Sequence, residues 1–241
     1  MSKVLFCSDI HGNMPAAEAL EAEIERLKPG DIYFLGDAVG KGPESHKAVD
    51  WVQRVCRHAI KGNWDDSVCK SITRVTSMDE LFYAPQIGPE RLAWLNSLPL
   101  EDEVLISGVW FRLVHGRPGD RLYQAYDSFA EMEEGFVSKV SNRTYGGYVC
   151  GDCHMPYVRE SSKGYVVNCG SVGNNLGVPK VHAALIEGEL GSTEPGTIRI
   201  QILSIPYDNR RAAAIADEYP DMPNMEAYKH EVMTGEYVRR Q

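Results

Sequence analysis

Three times within the first 65 residues a short apolar run ends in a polar, glycine-containing turn. Val4–Cys7 leads into Asp9-Ile10-His11-Gly12-Asn13, Ile32–Leu35 into Gly36-Asp37, and Ala59-Ile60-Lys61 into Gly62-Asn63-Trp64-Asp65. After the first turn, Pro15 opens a segment with Leu20, Ile24 and Leu27 at helical spacing, stopped by Pro29-Gly30. After the second, Ser45–Arg57 carries Val49, Val52 and Cys56 at the same period. Strand, loop and helix in repetition require parallel strand pairing with the helices packed outside. Ligands of such sheets bind beyond the carboxyl ends of the strands. Asp9, His11, Asp37 and Asn63 are therefore expected at one edge.

The second half has a different texture. Glu103–Ile106 and Val109–His115, joined at Ser107-Gly108, read as a hairpin. Ser128-x-x-Glu131 reads as a capping box opening a helix with Phe129, Met132, Phe136 and Val140 turned inward. Short strands of antiparallel type follow near Tyr148–Cys150, Tyr157–Arg159, Tyr165–Asn168, His182–Ile186 and Ile198–Ile205. A polar helical tail begins at Asn209 and is broken by Pro220 and Pro223. No linker, repeat or low-complexity stretch divides the 241 residues, so one α/β domain with two β-layers and outer helices is expected.

Composition narrows the partners. The net charge of −9 excludes the broad cationic surface that drives nonspecific nucleic-acid or anionic-membrane binding. No apolar stretch approaches the ~20 residues of a membrane span, and the first residues lack a signal-peptide core. Six scattered cysteines fit no disulfide scaffold, and a cytoplasmic location is expected. An anionic ligand would then need locally supplied positive charge. Val114-His115-Gly116 and Gly151-Asp152-Cys153-His154, each directly after a strand, add further donors. Five loops of oxygen and imidazole ligands suit one or two divalent cations of the manganese, iron or zinc type.

The order Asp9-x-His11, Gly36-Asp37, Gly62-Asn63-x-Asp65, His115-Gly116, Gly151-x-x-His154 resembles the calcineurin-like metallophosphoesterase superfamily over about residues 3–187. Gly36–Pro43, His115-Gly116-Arg117-Pro118 and Asn168-x-Gly170-Ser171-Val172-Gly173 are similar to its small bacterial branch of phosphodiesterase and diadenosine-tetraphosphatase-like proteins. The resemblance implies a four-layer α/β sandwich of two mixed β-sheets flanked by helices. The phosphoesterase domain would span 1–205, with 206–241 a C-terminal helical extension packed on it. It implies two divalent metals about 3.5–4 Å apart. Asp9, His11, Asp37 and His154 would hold the first, and Asp37, Asn63, His115 and Asp152 the second. Asp37, Asn63 and Asp65 belong to the implied catalytic set, with a metal-bridging hydroxide attacking phosphorus in line. Manganese is the expected metal, with iron, zinc, magnesium or nickel as alternatives. The expected partner is a small, nucleotide-like phosphodiester or phosphoanhydride; homo-oligomerisation is left open.

Two positions depart from the family pattern. Trp64 stands where a proton-donating histidine is usual, and an indole N–H cannot give up its proton. Asp152 replaces a histidine, which lowers the charge of the site and favours Mn²⁺ or Mg²⁺ over Zn²⁺. Asn13, Trp64 and Arg117 are candidate substrate contacts, although capping a helix is the plainer role for Asn13. Lys41 lies near the site in a glycine loop, while His46, His58, His182 and His230 match no motif position. The competing readings are a phosphomonoesterase, including a Ser/Thr protein phosphatase, and a catalytically weak protein-binding scaffold on the same fold.

Overall fold

The computed structural model describes residues 1–70, 78–116, 132–138 and 140–238. Strand β1 (Ser2–Cys7) leads through the first ligand loop to α1 (Met14–Leu27); β2 (Asp31–Phe34), α2 (Ser45–Val55) and β3 (His58–Ala59) follow. β1 pairs parallel with β2, with Cys7 opposite Phe34, and β2 pairs parallel with β3. Because strand side chains alternate, Val4 and Phe6 face a second sheet while Leu5 and Cys7 pack under α1 and α2. A strand buried on both faces has no polar positions, which is why Val4–Cys7 is a continuous apolar run. Asn13 caps α1 by accepting from the Ala16 N–H, and Lys28 ends it in the left-handed conformation.

Three helices follow that the sequence pattern does not announce: α3 (Asn63–Lys70), α4 (Met78–Ile87) and α5 (Pro89–Ser97). The chain returns through the hairpin of β4 (Glu101–Ile106) and β5 (Val109–Val114). It continues into β6 (Gly147–Cys150), β7 (Tyr157–Ser161), β8 (Gly164–Asn168), β9 (Val181–Gly188) and β10 (Arg199–Ile205). The sheets have the orders β10-β9-β1-β2-β3 and β4-β5-β6-β8-β7.

The antiparallel run expected here holds for β4–β5, β7–β8 and β9–β10, but β6 pairs parallel with both β5 and β8. β9 leaves that run altogether and lies antiparallel to β1 in the first sheet. Its residues 181–186 are all buried, so it needs a cover on each face and a strand on each side. Both sheets are therefore mixed, and they meet across Val4, Phe6, Leu35, Ile106, Phe111, Leu113, Val149, Val167 and Ile186.

On the outer face of the second sheet, Met132 and Phe136 pack against Tyr148, Cys150 and Val166. The helix expected to run to Val140 gives way after Met132 to a 3₁₀ turn, Glu133–Phe136, and Val140 is 82% exposed rather than inward. A Cβ at Gly135 would lie 2.5 Å from the Tyr148 ring, and Ser138 already turns back to donate to Arg143 O. Ser128, Phe129 and Glu131 lie outside the described residues.

The tail forms α6 (Asn209–Ala216) and α7 (Met225–Thr234), separated by the turn holding Pro220 and Pro223. Ala212, Ala216, Met222, Tyr228 and Val232 make a small core that reaches Phe82 and Tyr207, and Arg211 pairs with Glu18 of α1. Among the described residues no helix is long and apolar enough to cross a membrane.

Phe6 is fully buried between the sheets. Phe6→Ala should lower the unfolding free energy by about 3–5 kcal/mol in urea titration, whereas Val158→Ala, on an exposed strand face, should change it by less than ~0.5 kcal/mol.

Candidate metal centre

The donors come from loops that begin where parallel strands end. Asp9 and His11 follow β1, Asp37 follows β2, Asn63 and Asp65 follow β3, His115 follows β5, and Asp152 and His154 follow β6. The loops are knitted together by backbone bonds: Asp9 N to Gly36 O (2.9 Å), His11 N to Asp37 O (3.1 Å) and Gly151 N to His115 O (2.7 Å). Their approach tolerates no side chain at two positions. A Cβ at Gly62 would lie 2.1 Å from Asp37 Oδ1, and one at Gly151 would lie 2.2 Å from Ser8 Oγ.

Asp9, His11, Asp37, Asp152 and His154 all have φ between 49° and 65°, and Lys41 joins them at 55°. Among the described residues only ten non-glycine positions are left-handed, so half of them are donors of this one cluster. Each such residue costs on the order of 1 kcal/mol or more, and strain so concentrated marks a functional site.

Asp9, His11 and His154 have donor atoms within 4.8 Å of one another, as do Asp9, Asp37 and His115, and all are buried. His154 Nε2 is 3.2 Å from Asp9 Oδ1, and His11 Nε2 is 3.6 Å from both Asp9 Oδ1 and Asp37 Oδ2. His115 Nε2 is 3.4 Å from the same Asp37 Oδ2, 3.5 Å from Asp152 Oδ1 and 2.9 Å from Asn63 Oδ1. One oxygen of Asp37 thus faces both histidines, while its other oxygen accepts the Trp64 N–H.

The hydrogen bonds show how the imidazoles are held. The Nδ1 atoms of His11, His115 and His154 each donate to a backbone carbonyl, of Val39, Leu35 and Asn174. Their Nε2 atoms point into the cluster, and those of His11 and His154 face each other at 3.2 Å. Asp9 Oδ1, buried beside them, has no hydrogen-bond partner. Imidazole nitrogens converging on buried carboxylate oxygens are a donor set that fits a cation between them. Atoms bound about 2.1 Å from one ion lie roughly 3–3.5 Å apart, close to the spacings seen.

Carboxylates and imidazoles packed this closely shift one another's titration. Burial would raise the Asp9 carboxyl, yet His154, His11 and His115 hold it well below its usual range. Burial would lower His115, but Asp37, Asp152 and Asp9 push it well above. His11 falls to about 4 through burial and the charge of Lys41.

Other expected site residues fall into distinct places. Asp152 turns toward His115 and its N–H donates to Asp9 Oδ2. Asp65 is fully buried, and its oxygens accept from the N–H groups of Asp37, Ala38 and Gly62. These bonds clamp two ligand loops together rather than leave Asp65 free to face a substrate. Burial and the charge of Asp37 push its carboxyl up to about 7. Asn13, expected as a substrate contact, is engaged with Ala16 N, Gly173 O and Tyr207. Trp64 stands edge-on to His11 and Tyr83 and covers Gly40. Arg117 lies outside the described residues.

Lys41, which the sequence places only near the site, is buried with Nζ 3.5 Å from His154 Nε2 and 3.2 Å from Asn174 Oδ1. Asn174 and Glu231 carry no sequence signal of a role here, since neither belongs to a strand-end loop motif. His182 holds Asn175 and has no part in the cluster.

Fold and cluster together define an α/β protein of two mixed sheets with metal-type donors gathered at the strand ends. Residues 2–189 match the calcineurin-like phosphoesterase superfamily domain, and the chain belongs to that superfamily. It is thus a hydrolase acting on phosphoester bonds, in a family whose members use dinuclear metal centres. An uncharacterized protein of Methanocaldococcus jannaschii is 25% identical over 233 residues, covering 88% of this chain and 90% of the relative. Two solved structures share the fold across nearly the whole of both chains. A metallophosphoesterase from Sphaerobacter thermophilus has a TM-score of 0.77 at 22% identity, covering 97% of this chain and 99% of its own. A hypothetical protein from Pyrococcus horikoshii has 0.79 at 21%, covering 99% and 100%.

A saturating divalent cation should raise Tm, adding about 2.7 kcal/mol of stability at a hundred times Kd, and chelation should reverse this in a scanning-fluorimetry titration. Asp65→Asn leaves an N–H donor facing the new amide. It should lose roughly 1–3 kcal/mol of stability and weaken the metal-induced rise.

Proposed function

We propose that the cluster hydrolyses small, nucleotide-like phosphodiesters or phosphoanhydrides with two divalent cations bound. The observation that carries this reading is Asp37 Oδ2, placed between His11 and His115 so that one oxygen serves two neighbouring donor groups. Asp9, His11, Asp37 and His154 would hold one cation, and Asp37, Asn63, His115 and Asp152 the other. When bound, such ions supply Lewis acidity toward phosphoryl oxygens and lower the pKa of a nucleophilic water. The protein's part is orientation. Backbone carbonyls fix three imidazoles by Nδ1, Asp65 fixes the turn carrying Asp37, and the buried walls keep bulk water from the donors.

Lys41 brings a cation to the edge of the cluster nearest His154, where it would attract a phosphoryl group. The carboxylate at position 152 supports manganese or magnesium over zinc, because hard oxygen donors favour hard ions. Six free thiols accord with a reducing compartment such as the cytoplasm.

The substrate class follows from Trp64. Its indole lies against His11 and cannot protonate a leaving oxygen. General-acid help is typically worth roughly 10²–10⁴-fold, so esters of alkyl alcohols such as serine should suffer most without it. Phosphoanhydrides and aryl diesters leave as weaker bases and need it less. This favours nucleotide-like substrates over phosphoproteins.

Chelator-stripped protein should be inert toward bis-p-nitrophenyl phosphate and regain turnover with Mn²⁺, and Asp37→Asn should cut that turnover by about 10²-fold or more. Turnover that ignores chelation, or survives in Asp37→Asn, would overturn the reading.

For a series of diesters, log kcat/KM should fall steeply as leaving-group pKa rises. Trp64→His should speed the alkyl members relative to the aryl ones by about tenfold or more. A flat dependence would remove the argument from Trp64.

A further inference from the structure

Glu231 is a fully buried carboxylate on α7, outside the residues that match the superfamily domain. A charge in that position needs a specific partner, because burial without one is strongly unfavourable. Glu231 Oε2 accepts from Asn174 Nδ2 at 3.0 Å. The other end of the same amide, Asn174 Oδ1, accepts from Lys41 Nζ at 3.2 Å. Carboxylate at one end and ammonium at the other fix which way the amide points. The backbone of Asn174 has a third engagement, since its carbonyl accepts from His154 Nδ1. Ser171 anchors the residue from below by accepting the Asn174 N–H at 2.8 Å while donating to Asp9 O. One asparagine therefore joins a C-terminal helix to an imidazole of the metal cluster and to the lysine at its edge.

We propose that Glu231 is a positioning residue of the site, acting through Asn174 to set the ring of His154 and the ammonium of Lys41. The α6–α7 hairpin then completes the metal centre instead of merely covering the core. This rests on the phosphoesterase reading of the cluster and adds to it a determinant outside the matched domain. Lys41 gives it a purpose. Two dications set against Asp9, Asp37 and Asp152 leave one net positive charge, and a held ammonium adds a second toward the anionic phosphoryl group. If Lys41 swung freely, that charge would dissipate into solvent.

The test uses the full chain, stripped with chelator, and measures Mn²⁺ affinity by calorimetry alongside kcat and KM for bis-p-nitrophenyl phosphate. Loss of an outer partner of a metal-bound histidine typically weakens metal binding about 10–100-fold, and Glu231→Ala should fall in that range and raise KM. Glu231→Gln keeps an oxygen toward Asn174 and should recover most of the affinity. Val232→Ala trims buried packing on the same helix without touching Asn174, and should lower Tm while leaving Mn²⁺ affinity unchanged. Should Glu231→Ala not fold, Asn174→Ala replaces it, with the KM rise as the expected result. Wild-type Mn²⁺ affinity in Glu231→Ala, or an equal loss in Val232→Ala, would overturn the proposal. If the wild-type chain hydrolyses no phosphoester while Mn²⁺ affinity still follows Glu231, the phosphoesterase reading fails and the relay stands. If it hydrolyses the diester while Mn²⁺ affinity is indifferent to Glu231, the relay fails and the phosphoesterase reading stands.

Discussion

Asp9 and Asp37 are buried almost side by side, with Asp152 close behind, and the rest of the site depends on making that arrangement tolerable. Carboxylates withdrawn from water cost several kcal/mol each unless countercharge and hydrogen bonds replace their hydration. The protein answers in part with N–H groups: Trp64 donates to one oxygen of Asp37, and Asp152 to one of Asp9. The remaining oxygens point at imidazole Nε2 atoms, where a bound cation is the natural complement. Metal affinity and folding are coupled for the same reason. Donors held at left-handed backbone positions carry strain that metal binding would offset.

Much of this is legible in the sequence because the chemistry sits at strand ends. A short apolar run followed by glycine and a polar residue announces both a buried parallel strand and the turn that leaves it, so Asp9, His11, Asp37, Asn63, His115 and His154 can be placed from the chain alone. Pairing partners are less legible. The second sheet mixes parallel and antiparallel neighbours, and β9 leaves that run to pair with β1, a choice set by burial on both faces rather than by local pattern. Val140 shows the same limit: helical spacing of apolar residues suggests an inward face, yet beyond Met132 the chain leaves through a 3₁₀ turn in close contact with Tyr148. The helices between Asn63 and Ser97 carry two prolines, at 85 and 89, which blur the helical pattern.

Residues that act on other residues are the least visible. Asp65 shares a motif with Asn63 and so reads as part of the catalytic set, but its three backbone acceptor contacts make it the brace between two ligand loops. Its raised pKa reflects how tightly that brace is enclosed, beside the charge it helps to position. Asn13 shows the converse, a polar residue in a ligand loop whose capacity is used up by a helix cap and by Gly173 and Tyr207. Spacing reveals which side chains can reach an edge; which way each then turns is decided by its donors and acceptors.

Trp64 and Asp152 fit together once the surroundings are known. Replacing an imidazole by a carboxylate at 152 lowers the net charge available to hold a phosphoryl group, and an indole at 64 adds none. Lys41 restores a positive charge at the cluster's edge, but a lysine ammonium on four rotatable carbons does so effectively only when its rotamers are restricted, since fixing such a side chain costs about 1.5–2 kcal/mol. Asn174 supplies that restriction, and the buried carboxylate of Glu231 holds Asn174. The C-terminal hairpin and the altered loops therefore form one electrostatic unit: carboxylate, amide, ammonium and metal cluster in sequence, each meaningful because of its neighbour. On this view a substitution at position 152 back to histidine would relax the requirement for Lys41, and with it the requirement for the hairpin.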